Sequence, residues 1–295
     1  MENIILFLKS TLTIMLPLFF AACGGLFTSL AGTLNIALEG LLLIGAFSSL
    51  SVFYFSGNII ASVTAAVMSA MILSALHAFA AFKLKANFFI SGIAVNLFSG
   101  GICVVLSDKI FNTRGVVVLR TVNNVNPLSA GLYNTQNLFI WYVIFGFLLI
   151  IISWLVIYKT PFGYRLRACE KSSDALVSLG INPQFYQITS VLISGFFCGI
   201  GGSFLSLNLG AYVPGMSAGK GWIALAVIFL GIRKPAGIIA AAFIFASAET
   251  FSNYAQGFWN IPSDFILAFP YICSLIALII VSAVPGIKIN QSNFK

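Results

Sequence analysis

The chain has 295 residues, of which 60% are hydrophobic and 7% are charged. Soluble globular proteins are about 45 to 50% apolar and about 25% charged, so this composition excludes an ordinary soluble domain. The formal net charge is +8, but the basic residues are scattered over short loops, which indicates membrane topology and not nucleic-acid binding. The sequence therefore predicts an all-α polytopic membrane protein, with one transmembrane domain over residues 1–295.

Long apolar runs follow one another along the whole chain. A helix needs about 20 apolar residues to cross the hydrocarbon core of a bilayer. This criterion predicts nine membrane segments, at residues 4–30, 34–55, 59–82, 88–106, 138–158, 188–209, 213–232, 237–254 and 265–284.

Two of these segments begin with similar sequences. Residues 31–38 read AGTLNIAL and residues 218–225 read AGKGWIAL, and the two stretches align without a gap. The two copies are expected to run in opposite directions across the membrane. Oppositely directed, glycine-interrupted helices are typical of inverted-repeat transporters, in which the substrate path lies between the repeats. The pattern predicts broken helices and an inverted repeat.

Small residues recur at every fourth position of the sixth segment. Such a row allows another helix to approach closely and predicts helix packing, not chemistry. Its members are Ser194, Cys198, Gly202, Ser206 and Gly210.

Residues 160–187 form the one densely charged stretch between the apolar runs. Each charge would cost roughly 2.5 to 3.5 kcal/mol in hydrocarbon, so the stretch must face water. Pro161 is expected to break the preceding helix. Ser172 or Ser173 is expected to begin a short helix that ends at Gly180. The apolar residues expected to enter a partner's groove are Leu176, Val177 and Leu179.

This stretch resembles the coupling loop in the membrane subunits of bacterial ABC importers, in the branch that carries simple sugars, nucleosides and branched-chain amino acids. The resemblance rests on FGYRLRA at 162–168, Asp174-Ala175 and LGIN at 179–182. NIALEG at 35–40 and GKGWIALA at 219–226 resemble two further signatures of the family. The first of these looks most like the nucleoside group.

The resemblance implies a permease subunit in the bacterial cytoplasmic (inner) membrane, with several partners. These are cytoplasmic ATP-binding subunits, a second permease subunit that is related but different, and an extracytoplasmic substrate-binding lipoprotein or periplasmic protein. It also implies that the coupling loop contacts the ATP-binding subunit. The residues expected to make that contact are Arg167, Ala168, Glu170, Asp174, Ala175 and Gly180.

Catalytic motifs are missing from the sequence. Gly219-Lys220 is followed by Gly221 where a phosphate-binding loop needs Ser or Thr, and position 214 is proline. The single histidine provides neither a histidine metal cluster nor a Ser-His-Asp triad. We therefore expect no enzymatic activity, metal or cofactor in this chain, and ATP hydrolysis on a separate subunit.

Polar residues inside membrane segments are costly and suggest function. Glu39 lies four residues after Asn35, which would place both on one helix face. The predicted substrate path comprises Asn35, Glu39, Asn96, Asn208 and Glu249. Structural alternatives remain open: Glu39 could stabilise a helix start, Glu249 could be solvated at the membrane interface, and the asparagines could bond neighbouring helices.

Placing residues 160–187 in the cytoplasm fixes the orientation of every other segment by parity. Ten of the 15 Lys and Arg residues then lie inside, in agreement with the positive-inside rule. The N-terminus is predicted outside, and residues 108–137 form an external loop.

The predicted cargo is a nucleoside or a related ribose-containing compound. The same resemblance leaves a simple sugar or a branched-chain amino acid as alternatives. In a different class, an ion-coupled secondary transporter or a channel would use Glu39 or Glu249 as a proton or cation site and would need no ATPase.

Overall fold

A computed structural model describes residues 2–119, residues 135–258 and residue 272. The helices are α1 (Glu2–Leu30), α2 (Leu38–Ser56), α3 (Ile59–Ala78), α4 (Phe88–Phe111), α5 (Thr135–Lys159), α6 (Pro161–Lys171), α7 (Ser173–Ser178), α8 (Pro183–Leu209), α9 (Lys220–Leu230) and α10 (Pro235–Phe258). A π-helical turn, Phe79–Lys83, continues α3. Two short strands, β1 (Val117–Val118) and β2 (Ala211–Tyr212), pair antiparallel.

Seven helices in the described ranges are long and apolar enough to cross a membrane. This confirms the all-α polytopic class but not the predicted count of nine. The predicted segment 265–284 lies outside the described residues. The predicted segment 213–232 is wrong as a full span, because α9 has only 11 residues. Residues 214–219 form turns instead, in which Gly215, Ala218 and Gly219 all have positive φ.

Local sequence signals set most helix ends. Asn58, Asn87 and Asn182 occupy N-cap positions, and each side chain accepts a hydrogen bond from a backbone N–H of the following turn. Gly57 and Gly210 end α2 and α8 in the left-handed conformation that glycine adopts without strain.

Several predicted boundaries are displaced by four or five residues, among them the start of the sixth segment, which lies at Pro183 and not at residue 188. The second membrane helix begins at Leu38 and not at residue 34, because residues 33–36 are not helical. The fourth continues to Phe111, one turn past residue 106, before Asn112 closes it at a φ of 53°. The external loop predicted at 108–137 therefore starts later, and its residues 120–134 lie outside the described ranges.

Helix α8 packs against α1, α2 and α3 and forms the centre of the bundle. A Cβ at Gly195 would lie 2.9 Å from the carbonyl oxygen of Ala70, and one at Gly199 would lie 2.6 Å from Cα of Val67, both in α3. A Cβ at Gly202 would lie 2.8 Å from the backbone nitrogen of Ala46 in α2. The small residues thus allow close backbone approach on two sides, which confirms the packing prediction.

The two ends of the bundle are marked by different contacts. At one end, the last turn of α1 meets α6 and the turn between α9 and α10, through Ser29, Glu170 and Arg233. At the other end, β1 pairs with β2, and Phe7 of α1 lies 5.9 Å from Tyr254 of α10 between ring centroids. The beginning of α1 and the charged stretch 160–187 therefore lie at opposite ends of the bundle, and the end that faces the cytoplasm stays a prediction.

Candidate functional site

A break between α1 and α2 forms the first part of the site. Gly32 turns the chain with a φ of 77°, and residues 33–36 run without helix to Leu38. The buried carboxamide of Asn35 donates to Oγ of Ser194 at 2.7 Å, and its Oδ1 accepts from the N–H of Ala37 at 2.9 Å. Asn35 thus fixes the unwound segment to α8.

The expectation that Asn35 and Glu39 share one helix face is wrong. Asn35 precedes the first residue of α2, whereas Glu39 lies in its first turn. The chain breaks at Gly32, in line with the predicted glycine-interrupted helix, but the helix resumes only at Leu38. The two side chains therefore serve different neighbours.

Glu39 binds the start of another helix. Its Oε1 accepts a hydrogen bond of 2.8 Å from the N–H of Gly219, and its Oε2 accepts one of 2.7 Å from the N–H of Gly221. These amides belong to the group at a helix N-terminus that has no partner within the helix. The carboxylate also complements the positive end of the dipole of α9. The starts of α2 and α9, the two stretches that align in sequence, therefore meet.

The aligned stretches have only part of their conformation in common. Gly32 and Gly219 both have positive φ, at 77° and 81°. After Gly219 the helix begins at once with Lys220, whereas after Gly32 it begins at Leu38. The inverted repeat stays a prediction.

An ion pair between Lys220 and Glu249 adjoins the junction of α2 and α9. Nζ of Lys220 lies 2.8 Å from Oε1 of Glu249, and the two side chains are 12% and 23% exposed. Lys220 is ten residues from the last residue of α9, Leu230, or about 15 Å at 1.5 Å per residue, roughly half the thickness of a hydrocarbon core. Glu249 is therefore paired within the bundle and is not simply solvated at its edge.

The two remaining predicted path residues have contrasting environments. Asn96 of α4 accepts from the N–H of Gly40 at 2.8 Å and donates to the carbonyl of Ile36 at 2.9 Å. Asn208, near the end of α8, is half-buried, and its carboxamide makes no hydrogen bond to the residues that the structure describes.

The charged stretch forms two short helices and not one. Thr160 accepts the capping hydrogen bond from the N–H of Gly163, and Pro161 is the first residue of α6, as the break at Pro161 predicted. Helix α7 then ends before Gly180, which has a φ of 72°. Leu176 is buried at 5% exposure, so its predicted insertion into a partner is wrong.

The outer surface of α7 and the turn that follows it carry three of the six predicted ATPase contacts. Asp174, Ala175 and Gly180 are exposed. Val177 and Leu179 are 61% and 75% exposed. A shallow open groove runs beside them, lined by Val177 and residues 180–183.

The three predicted contacts in α6 are less accessible. Ala168 packs against the core, and the guanidinium of Arg167 lies 5.0 Å from the ring centroid of Tyr158 and 5.1 Å from that of Tyr164. Glu170 forms an ion pair with Arg233. Local sequence spacing does not reveal Arg233, Ser194 and Gly221 as hydrogen-bond partners, because their pairings span 63, 159 and 182 residues.

In the described part of the chain, no three His, Cys, Asp or Glu side chains are grouped closely enough to hold a metal ion. Of the cysteines, Cys169 lies in α6, outside the membrane helices. Burial raises the pKa of its thiol, so the reactive thiolate is scarce at neutral pH. The site consists of helix ends, amides and paired charges, which suits the binding and movement of a neutral polar solute.

Comparison with known proteins agrees with this arrangement. The chain is 30% identical over 289 residues to the guanosine ABC transporter permease protein NupQ of Bacillus subtilis (strain 168). The alignment covers 91% of this chain and 89% of that protein. It is 31% identical over 278 residues to the nucleoside ABC transporter permease protein NupC of Lactococcus lactis subsp. cremoris (strain MG1363), covering 89% and 87%.

A solved structure, PsaBC from Streptococcus pneumoniae in complex with Fab, has a similar fold. The TM-score is 0.50 at 12% identity, over 92% of this chain and 90% of that one. Residues 7–283 match the family described as branched-chain amino acid transport system / permease component. With nearly its whole length matched and seven apolar helices in the described ranges, the chain belongs to this permease family, as a multi-pass protein of the cytoplasmic membrane.

Proposed function

We propose that the chain is the transmembrane permease subunit of an ATP-driven ABC importer for nucleosides or related ribose-containing compounds. The observation that carries the proposal is the similarity, over about nine-tenths of the chain, to permease proteins whose names specify guanosine and nucleosides. The exposed α7 at the end of the bundle supports it, since an importer must receive movement from its ATPase.

The coupling surface comprises the exposed face of α7 and the turn that follows. Asp174 and Ala175 lie on it, and Gly180 closes it with a left-handed turn. Exposed Val177 and Leu179 are apolar groups of the kind that fill a groove on a partner. ATP binding would close the ATPase dimer and move this surface. That movement would open the path between the broken helices alternately to the two sides of the membrane.

The path follows the junction of α2, α8 and α9. Asn208 offers a carboxamide that makes no bond within the described residues and is the direct cargo contact in this proposal. Asn35, Asn96, Glu39 and Glu249 shape the path, because each holds a helix start or a charge in place. The permease needs only low affinity, since a tight site would retain its cargo.

The partners follow from this role. The cytoplasmic ATP-binding subunits bind and hydrolyse ATP, so this chain contributes transport and not catalysis. A related but different permease chain completes the membrane assembly. An extracytoplasmic substrate-binding protein, anchored by lipid or free in the periplasm, delivers the cargo.

Reconstitution of the complete assembly in proteoliposomes tests the proposal. We expect uptake of labelled guanosine to require ATP and the binding protein, to persist when the proton gradient is collapsed, and to be competed by unlabelled nucleosides. Competition by leucine alone would move the protein to the amino-acid branch, and competition by ribose alone to the sugar branch. Uptake that needs the proton gradient and survives ATP depletion would identify a secondary transporter.

A further inference from the structure

The ion pair between Glu170 and Arg233 joins the coupling segment to the turn between α9 and α10. Nη1 of Arg233 lies 2.5 Å from Oε1 of Glu170, and Nη2 lies 2.7 Å from Oε2. This two-bond geometry is the strongest that a carboxylate forms with arginine. The side chains are 29% and 26% exposed, so solvent screens the pair only in part.

The backbone at Arg233 is tied to the end of α9. Ile232 and Arg233 have φ angles of 53° and 52°, which are unusual for residues other than glycine. The N–H of Arg233 donates to the carbonyl of Ile228 at 3.0 Å, and that of Ile232 to the carbonyl of Phe229 at 3.0 Å. The turn is therefore bonded to the last turn of α9, so a force on the Arg233 side chain acts on that end of the helix.

The same ion pair touches the break after α1. Nη2 of Arg233 also donates to the carbonyl of Ser29 in the last turn of α1, and the same carbonyl accepts from the N–H of Gly32 at 3.2 Å. Gly32 packs so closely that a Cβ there would lie 3.2 Å from Cα of Glu170. The end of α1, the coupling segment and the end of α9 thus meet at one point.

The other end of α9 also has polar attachments. Glu39 accepts from Gly219 and Gly221, and Lys220 pairs with Glu249. Helix α9 is therefore attached through polar groups at both ends, about 15 Å apart. A helix of this length bonded at both ends transmits displacement as a rigid element.

We propose that α9 carries the movement of the coupling segment to the centre of the membrane, with the Glu170–Arg233 ion pair as its joint. Glu170 is then a positioning residue that acts through Arg233, and not a contact of the ATP-binding subunit. This inference rests on the proposed function, because it requires an ATPase that moves α6 and α7.

The test measures cargo transported per ATP hydrolysed by the reconstituted assembly. Arg233→Ala and Glu170→Gln should each lower this ratio by about tenfold, within the usual range of coupling between two sites. Co-purification of the ATP-binding subunit should stay at the wild-type level. Lys234→Ala is the matched control, since it removes an exposed basic residue from the same turn and should leave the ratio unchanged.

Restoration separates coupling from stability. Glu170→Arg combined with Arg233→Glu should recover a large part of the ratio, but not all of it, because the hydrogen bond to Ser29 is lost. Arg233→Lys, which keeps the charge without the two-bond geometry, should give an intermediate ratio. If the Arg233→Ala variant does not assemble, the ratios of cargo to ATP in Glu170→Gln and Arg233→Lys test the inference instead.

A wild-type ratio in Glu170→Gln and Arg233→Lys would overturn the inference, as would loss of ATPase association in Glu170→Gln. The proposed function fails separately, if the wild-type assembly shows no uptake driven by ATP.

Discussion

Asn96 of α4 accepts, through Oδ1, a hydrogen bond of 2.8 Å from the backbone N–H of Gly40 in the first turn of α2. Its Nδ2 donates to the carbonyl of Ile36 at 2.9 Å. One side chain therefore satisfies an orphan donor and an orphan acceptor on either side of the helix start. Gly40 makes the approach possible, since a Cβ there would lie 2.9 Å from Cα of Asn96.

Replacing Asn96 with Leu should lower the free energy of unfolding by about 2 to 4 kcal/mol, because two backbone groups lose their partners. Asn96→Asp keeps the acceptor and should cost less. Thermal unfolding in detergent measures both. Leu97→Ala is the control, since Leu97 is 73% exposed and the substitution should change stability little. Equal stability of Asn96→Leu and wild type would contradict the prediction.

The Lys220–Glu249 pair should behave as a buried ion pair. Glu249→Gln leaves the charge of Lys220, at 12% exposure, without a counter-ion and should destabilise the protein by about 3 kcal/mol. Lys220→Met combined with Glu249→Gln removes both charges and should recover most of that loss, whereas Lys220→Met alone leaves the carboxylate of Glu249 without its partner. Thermal unfolding of the single and double variants checks the cycle. Additive losses would show that the two residues are not coupled.

Glu39→Gln should slow uptake several-fold and leave assembly intact. The amide keeps one acceptor for the start of α9 but presents N–H groups to the second backbone donor, and the lost charge no longer complements the helix dipole, together worth about 1 to 2 kcal/mol. Initial uptake rates and surface expression are the measurements. Glu39→Asp is the control for side-chain length, because it keeps the negative charge but places the carboxylate on a shorter side chain. Loss of expression in Glu39→Gln would instead indicate a purely structural residue.

The turn after α7 should be essential for coupling. Gly180 has a φ of 72°, and a Cβ there would have no neighbour within 4 Å among the described residues. Only the backbone conformation therefore opposes substitution. Gly180→Ile should uncouple ATP hydrolysis from uptake, whereas Gly180→Asn, which tolerates the left-handed region, should retain most transport.

Asp174→Arg reverses a charge on the same exposed surface and should weaken association of the ATP-binding subunit without affecting insertion. Pull-down of the ATPase and uptake assays are the measurements. Full association and full uptake in both Asp174→Arg and Gly180→Ile would refute the placement of the coupling surface.

The orientation of the chain is testable with an impermeant thiol reagent. In a variant without native cysteines, cysteines added at positions 3 and 125 should react from outside, and one at position 175 only after permeabilisation. Removing Cys169 is a necessary precaution even though its raised pKa slows its reaction. Labelling of position 175 in intact cells would reverse the topology.

The sequence by itself determined the class of the protein and several of its helix ends. Apolar runs predicted most membrane helices because burial in lipid requires them, and charges placed residues 160–187 in water. Pro161 predicted the end of the preceding helix and Gly180 the end of a short one, through backbone geometry that belongs to the residue itself. These properties depend on neighbours in the chain and can therefore be read from it.

Only the tertiary structure decided what the polar residues do. Glu39 was expected beside Asn35, but its carboxylate binds Gly219 and Gly221, about 180 residues away. Glu170 was expected to contact the ATP-binding subunit, yet its carboxylate pairs with Arg233 of the same chain. A segment long enough to cross the membrane became the short α9, because turns at residues 214–219 consume its first third. A carboxylate in an apolar bundle binds whichever donors the packing of the helices brings to it, and that packing is not encoded in local spacing.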